Sequence, residues 1–237
     1  MCHNAPRRFL SNCKVEAVIR SKFHPARDAA IALGAVLLFA WLAWLASRAG
    51  IPQFDTAGRG AIHAYARPWL TWVMKAASFA GGGWGLWPGG VLIAAWLARA
   101  ARGREAARFG VTVVGANLVN EAMKLFFHRP RPEPWFDYPL PFTYSFPSGH
   151  AFVSFCFCLC LAEILIREEW PLAGKLAMWS AALGCTLTIG LSRVYLGVHY
   201  PTDVLGGYAA GIAWITLIRM AHHVWQGRER GGRATLG

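Results

Sequence analysis

Apolar residues in this chain come in long blocks separated by short polar stretches. The first block, 29–46, is long enough to cross a bilayer and longer than the core of a signal peptide, so it reads as a retained anchor. Blocks at 84–98, 109–127, 148–166, 176–191 and 203–220 read as further crossings. Residues 50–83 break the pattern. Segment 51–67 reads as an amphipathic surface helix. Segment 69–80 is apolar but short, carries Lys75 and ends on Gly81-Gly82-Gly83, so it reads as interfacial or half-inserted. The expected fold is all-α: a polytopic membrane helical bundle with six transmembrane helices plus a short interfacial helical segment at the outer face. One bundle is the natural architecture, because a helix satisfies its own backbone in lipid.

Composition supports this and adds orientation. Charged residues make up 15% of the chain and apolar residues 55%. Many Trp residues sit near the ends of the apolar blocks, as interfacial aromatics do. The net charge of +12 invites a nucleic-acid reading, but the basic residues flank the apolar blocks and do not form a stripe. Arg7, Arg8, Lys14, Arg20, Lys22 and Arg27 precede the first block. Arg99, Arg102, Arg104 and Arg108 form a basic loop after the second, and Arg228, Arg230 and Arg233 follow the last. This is the positive-inside pattern, so both termini are expected in the cytoplasm and no nucleic-acid partner is expected. The implied division is a basic tail at 1–28, a membrane domain at 29–222 and a basic tail at 223–237. Cys156, Cys158 and Cys160 alternate within one apolar block. That spacing fits neither a zinc site nor a redox pair, and reads as small apolar packing residues.

Three polar clusters face the outer side in this topology. The first runs Lys124-Leu-Phe-Phe-His-Arg-Pro-Arg131-Pro132. Its cations lie on the outer side, against the orientation rule, which weakens a reading as snorkelling anchors. The second is Pro147-Ser148-Gly149-His150 at the start of a helix. Ser148 can cap that helix, free N–H donors there suit an anion, and Gly149 permits close approach to the backbone. The third is Ser192-Arg193, His199 and Asp203. His199 and Asp203 are four apart across the start of the last helix, with Pro201 placed to open it. Asp203 can then accept a hydrogen bond from the His199 ring and leave the other nitrogen free to attack. His150, His199 and Asp203 also make a two-His-one-carboxylate set, but Lys124, Arg131 and Arg193 would crowd a metal cation. Three fixed positive side chains suit an anion better. Asn117, Asn120 and Glu121 are polar residues within a crossing. Glu121, one turn before Lys124, is expected to make a structural hydrogen bond or a salt bridge to one of these cations.

Together these residues resemble the type 2 phosphatidic acid phosphatase superfamily, which includes bacterial membrane lipid phosphatases and vanadium haloperoxidases. The family pattern, K-x6-R-P, P-S-G-H and S-R-x5-H-x3-D, is matched at every position, in order, within 124–203. The resemblance implies His199 as a nucleophile forming a phosphohistidine, Asp203 as its orienting carboxylate and His150 as the general acid. Lys124, Arg131 and Arg193, with Ser148 and the Gly149 N–H, would bind the phosphoryl oxygens. It implies no metal and no cofactor, and leaves the role of Arg129 open.

The expected substrate is a lipid phosphate at headgroup depth in the bilayer. Candidates are undecaprenyl pyrophosphate, phosphatidylglycerol phosphate, phosphatidic acid and a lipid A phosphate, with hydrolysis or phosphotransfer as the outcome. A haloperoxidase would place vanadate on His199, but those members are soluble. A lipid transporter or scaffold would explain the crossings and not the polar clusters. Nothing in the sequence sets an oligomeric state.

Overall fold

The protein was described from a computed structural model, which covers residues 24–234. Eight helices are present among these residues: α1 (Pro25–Ala46), α2 (Gln53–His63), α3 (Pro68–Ala80), α4 (Gly83–Arg99), α5 (Gly103–Phe127), α6 (Gly149–Leu165), α7 (Leu172–Tyr195) and α8 (Pro201–Ala234). Proline opens several of them. Pro25, Pro68 and Pro201 each sit in the first helical position, where the missing N–H costs nothing. α5 stops at His128, whose left-handed conformation (φ 48°) closes the helix with its N–H on the Lys124 carbonyl. Pro130 and Pro132 then keep the chain extended.

α8 runs through the assembly, with α1 and α6 alongside it. α6 also packs on α5 and α7, α4 packs on α5, and α3 lies against α7. Leu86, Leu97, Phe109, Val113, Val153, Cys160 and Ile164 form one core between α4, α5 and α6. Ala116, Phe152, Cys156 and Ala210 form another where α5, α6 and α8 meet. Cys156 and Cys160 are thus packing residues, and neither is in a disulfide. The outer surface is apolar. Leu33, Leu37, Trp41 and Trp44 on α1, Trp72 on α3, Leu92 on α4, Leu118 on α5 and Leu187 on α7 all point outward. A surface of that kind is stable against lipid and not against water.

α1, α7 and residues Pro201–Trp225 of α8 are each long and apolar enough to cross a membrane. The chain is a multi-pass membrane protein on this evidence. The other three blocks are less clear-cut, for reasons of length and charge. α4 and α6 have 17 residues each, about 25 Å at 1.5 Å per residue, somewhat under the hydrocarbon thickness of about 30 Å. α5 is long enough but carries Arg104, Glu105 and Arg108 near one end and Glu121 and Lys124 near the other.

Three expectations change. Segment 50–83 holds two helices, α2 and α3, in place of the expected 51–67 and 69–80, so only their ends shift. The basic loop 99–108 shrinks to residues 100–102, with Arg104 and Arg108 on α5. Arg102 donates to the Ile164 carbonyl (2.8 Å) and Arg108 pairs with Glu163 (3.4 Å), so these cations also join α5 to α6. Asp28, assigned to the tail, lies in α1, fully buried, and pairs with Arg219 of α8 at 2.8 Å. Arg27 also lies in α1, and residues 1–23 of the expected N-terminal tail, with Cys2 and Cys13, fall outside the described residues.

Candidate active site

The three clusters converge at one end of the bundle. Lys124 comes from the end of α5, Arg129 and Arg131 from the loop after it, and Ser148, Gly149 and His150 from the start of α6. Arg193 lies in the last turn of α7, His199 in the α7–α8 connection and Asp203 in the first turn of α8. Every residue from Ser192 to Tyr200 is buried, so the connection that carries His199 is held by packing on all sides.

His199 is 1% exposed. Its Nδ1 lies 3.3 Å from Asp203 Oδ2, and its Nε2 lies 2.9 Å from Arg131 Nη1. A guanidinium can only donate, so Nε2 carries the lone pair and the ring proton sits on Nδ1, facing the carboxylate. Burial pushes the His199 pKa well below its ordinary value, and the nearby charges of Arg131, Arg193 and Lys124 push it the same way. The imidazole is therefore neutral at pH 7, with a free electron pair aimed at a guanidinium. An anion placed between the two would meet a nucleophile and a cation together.

Arg131 is fixed by the Thr143 carbonyl (2.5 Å), the Val198 carbonyl (2.9 Å) and Thr143 Oγ1 (3.1 Å). Burial, then repulsion from Arg193, brings its pKa down to about 10, which leaves it charged at neutral pH. Lys124 Nζ donates to Glu121 Oε1 (3.0 Å) and Thr143 Oγ1 (3.2 Å). Arg193 donates from Nη1 to Ser78 Oγ and to Tyr138 Oη (3.1 Å), and its buried Nε has no partner. Ser148 stands at the N-cap of α6, but its hydroxyl makes no capping bond and is buried without a partner. Buried polar groups are nearly always paired. Among the described residues, Arg193 Nε and Ser148 Oγ are exceptions to that rule.

A Cβ on Gly149 would lie 2.8 Å from Asn120 Nδ2, so glycine also makes room for the Asn120 side chain of α5. His150 is within Coulombic reach of Arg193, His199, Lys124 and Arg131. It lines a cavity of about 180 Å³ together with Gly81–Gly83, Asn117, Asn120, Glu121 and Lys124. Glu121 makes the expected structural pair with Lys124 and also accepts from Asn120 Nδ2 (3.0 Å). Glu121→Gln should weaken folding yield or move the pH profile while leaving kcat within a few-fold; loss of all turnover in a well-folded variant would make Glu121 part of the chemistry.

Sequence reasoning missed Asp55, Ser78, Tyr138 and Thr143. Tyr138 and Thr143 lie in the loop between α5 and α6, outside the three polar clusters. Ser78 carried no signal. Asp55 had a faint one, being among only 12 acidic residues in the chain.

Residues 105–226 match the PAP2 superfamily, a little over half of the chain. The chain belongs to that superfamily. It is 35% identical over 105 residues to phosphatidylglycerophosphatase B of Bacillus subtilis, covering 43% of this chain and 50% of that one. It is 35% identical over 80 residues to an undecaprenyl-diphosphatase of Sulfolobus acidocaldarius, covering 34% of each. The chain thus spans half or less of the length of these curated relatives. The structural likeness extends further. The crystal structure of a transmembrane PAP2-type phosphatidylglycerolphosphate phosphatase from Bacillus subtilis superposes with a TM-score of 0.73 at 28% identity, over 81% of this chain and 96% of that chain.

Proposed function

We propose that this PAP2 protein is an integral membrane lipid phosphatase that hydrolyses a phosphomonoester or pyrophosphate through a phosphohistidine on His199, without a metal. The observation that carries the reading is the placement of buried His199, with Nε2 at 2.9 Å from Arg131 Nη1 and Nδ1 at 3.3 Å from Asp203 Oδ2. Phosphoryl transfer is mainly positioning and charge stabilisation. Lys124, Arg131 and Arg193, with the Ser148 hydroxyl and the Gly149 N–H, clamp the phosphoryl oxygens. His199 Nε2 attacks phosphorus, and Asp203 stabilises the imidazolium that forms. His150 gives its proton to the departing oxygen. Water then attacks the phosphohistidine, with His150 taking its proton, and phosphate leaves.

The chain crosses the membrane six times in this reading, by α1 and α4–α8, with α2 and α3 at the outer face. Both termini are cytoplasmic, flanking a membrane domain at 29–222, and the site faces the exterior of a bacterial inner membrane. The basic residues beside α4 and α5 support that orientation. The site lies at helix ends near headgroup depth, so a lipid can keep its chains in the bilayer while its phosphate reaches the clamp. The relatives' names include phosphatidylglycerophosphatase and undecaprenyl-diphosphatase, and both lipids are candidate substrates here. Phosphatidic acid and a lipid A phosphate are further candidates of the same chemistry.

The test is phosphate release by detergent-purified protein in EDTA, from a panel of these four lipids, beside His199→Ala. Release that survives EDTA and is absent in the variant is expected. Release that needs an added divalent metal, or that the variant retains, would overturn the mechanism.

A further inference from the structure

Asp55 belongs to α2, outside the matched residues 105–226 and outside every motif read from the sequence. It is fully buried, and both of its oxygens are used. Oδ1 accepts the Thr202 backbone N–H (2.9 Å). Oδ2 accepts the Thr202 hydroxyl (2.7 Å) and Arg129 Nη2 (2.7 Å). We propose that Asp55 is a positioning residue for the phosphatase reaction, holding Arg129 and the first turn of α8 so that Asp203 stays oriented toward His199. The inference rests on the reading of His199 as the nucleophile.

The geometry works as follows. α8 opens at Pro201, so the Thr202 N–H is among the donors that a helix start leaves without an intrahelical partner. Asp55 supplies that partner from a different helix, and its negative charge suits the positive end of α8. Asp203 sits in the same turn. Its Oδ2 receives the Tyr200 N–H (2.8 Å) and faces His199 Nδ1, while its Oδ1 receives Arg129 Nη1 (2.5 Å).

Arg129 is thus shared between two buried carboxylates, one on each edge of its guanidinium, and it also bonds Thr202 Oγ1 (2.8 Å) and lies over the Tyr200 ring (4.3 Å). A guanidinium is a rigid planar fork that favours bidentate pairing with one carboxylate. Without Asp55, its free edge turns to Asp203. That draws Oδ2 away from His199 and neutralises the charge that the imidazolium needs. The His199–Asp203 contact is already long at 3.3 Å, so it has little margin.

α2 is docked tightly enough for this task. A Cβ on Gly58 would lie 2.9 Å from Pro201 Cγ, so glycine permits the close approach of α2 to the start of α8. Arg59 donates to the Glu133 carbonyl (2.8 Å) and the Gly197 carbonyl (3.3 Å), both beside the His199 connection. The helix expected to lie on the membrane surface is a wall of the site.

The experiment uses the full chain in detergent with the lipid of the panel above that wild type turns over fastest. Asp55→Asn should lower kcat about 10²-fold, the loss that a misplaced reacting group commonly brings. KM and inhibition by inorganic phosphate should be unchanged, because Lys124, Arg131 and Arg193 are untouched. The Asp55→Asn/Arg129→Gln double variant should be no slower than Arg129→Gln alone, as expected of residues acting through one another. Thr202→Val, which removes one hydroxyl from the network, should lower kcat several-fold and serves if Asp55→Asn does not fold. Wild-type kcat in Asp55→Asn, or in Thr202→Val where that variant stands in, overturns the proposal, provided that His199→Ala is inactive. Independent, multiplying losses in the double variant, or equal loss of kcat and phosphate inhibition, overturn it too. Turnover in His199→Ala would instead defeat the nucleophile reading itself.

Discussion

Purified His199→Ala is expected to release no measurable phosphate from any lipid that the wild-type protein hydrolyses. The imidazole is neutral, its proton is on the side of Asp203, and its lone pair faces the cation that would hold a phosphoryl oxygen. Ala removes the attacking atom and leaves a void among buried neighbours, so the fold of the variant is checked beside its activity. Removing the nucleophile of a covalent enzyme can cost on the order of 10⁶ in kcat, with residual turnover left to positioning alone. The clamp remains, so the variant should still bind inorganic phosphate. Acid-labile, base-stable phosphate should be trapped on quenched wild-type protein during turnover and be absent from the variant. Binding without trapping in the variant would place the missing step at bond formation. Trapping at undiminished yield would move the nucleophile elsewhere.

His150→Ala is expected to fold and to lose about 10²–10⁴ in kcat, the usual contribution of a general acid. His150 lines a cavity together with Lys124, Asn120 and Gly81–Gly83. In the proposed reaction its proton goes to the departing oxygen, so the loss should depend on the leaving group. A lipid alkoxide needs that proton badly. The p-nitrophenolate of p-nitrophenyl phosphate hardly needs it, so phosphorylation of His199 by that ester should be much less impaired. Single-turnover rates with the two substrates separate this from general damage. An equal loss with both would make His150 a binding residue.

Most of the site's chemistry was legible in the residue order because its demands are strict. A histidine with a carboxylate four residues on, after an arginine at the end of a helix, and a second histidine behind a capping serine leave few other uses. Arg129 and Asp55 were not legible in the same way. Arg129 and Asp203 are 74 residues apart in sequence, as are Arg129 and Asp55, and Asp55 and Thr202 are 147 apart. Only folding sets these distances, since no local pattern demands them. Ser78 and Arg193, 115 apart, are the same case. At Gly149 the close approach of Asn120 from a neighbouring helix was likewise not legible.

The helices divide along a similar line. The long apolar blocks of α1, α7 and α8 were visible because burial in lipid requires an uninterrupted apolar run. The basic stretch after α4 was read as a loop because it is charged. It is mostly helical because Arg, Glu and Ala are good helix formers, and its charges find partners on α6. Segment 50–83 looked peripheral because α2 and α3 are too short or too polar to span. Its importance comes from what it touches: Asp55 on α8 and Ser78 on Arg193.

By itself, then, the sequence determined a membrane-embedded helical chain with a polar set of phosphate chemistry, since apolar runs and reactive residue types are local properties. The tertiary structure alone decided which nitrogen of His199 faces Asp203 and which faces Arg131, which atoms of Arg193 and Ser148 lack partners among the described residues, and which distant carboxylate shares Arg129 with Asp203. Those are properties of distance and direction between segments, and they exist only once the helices have packed.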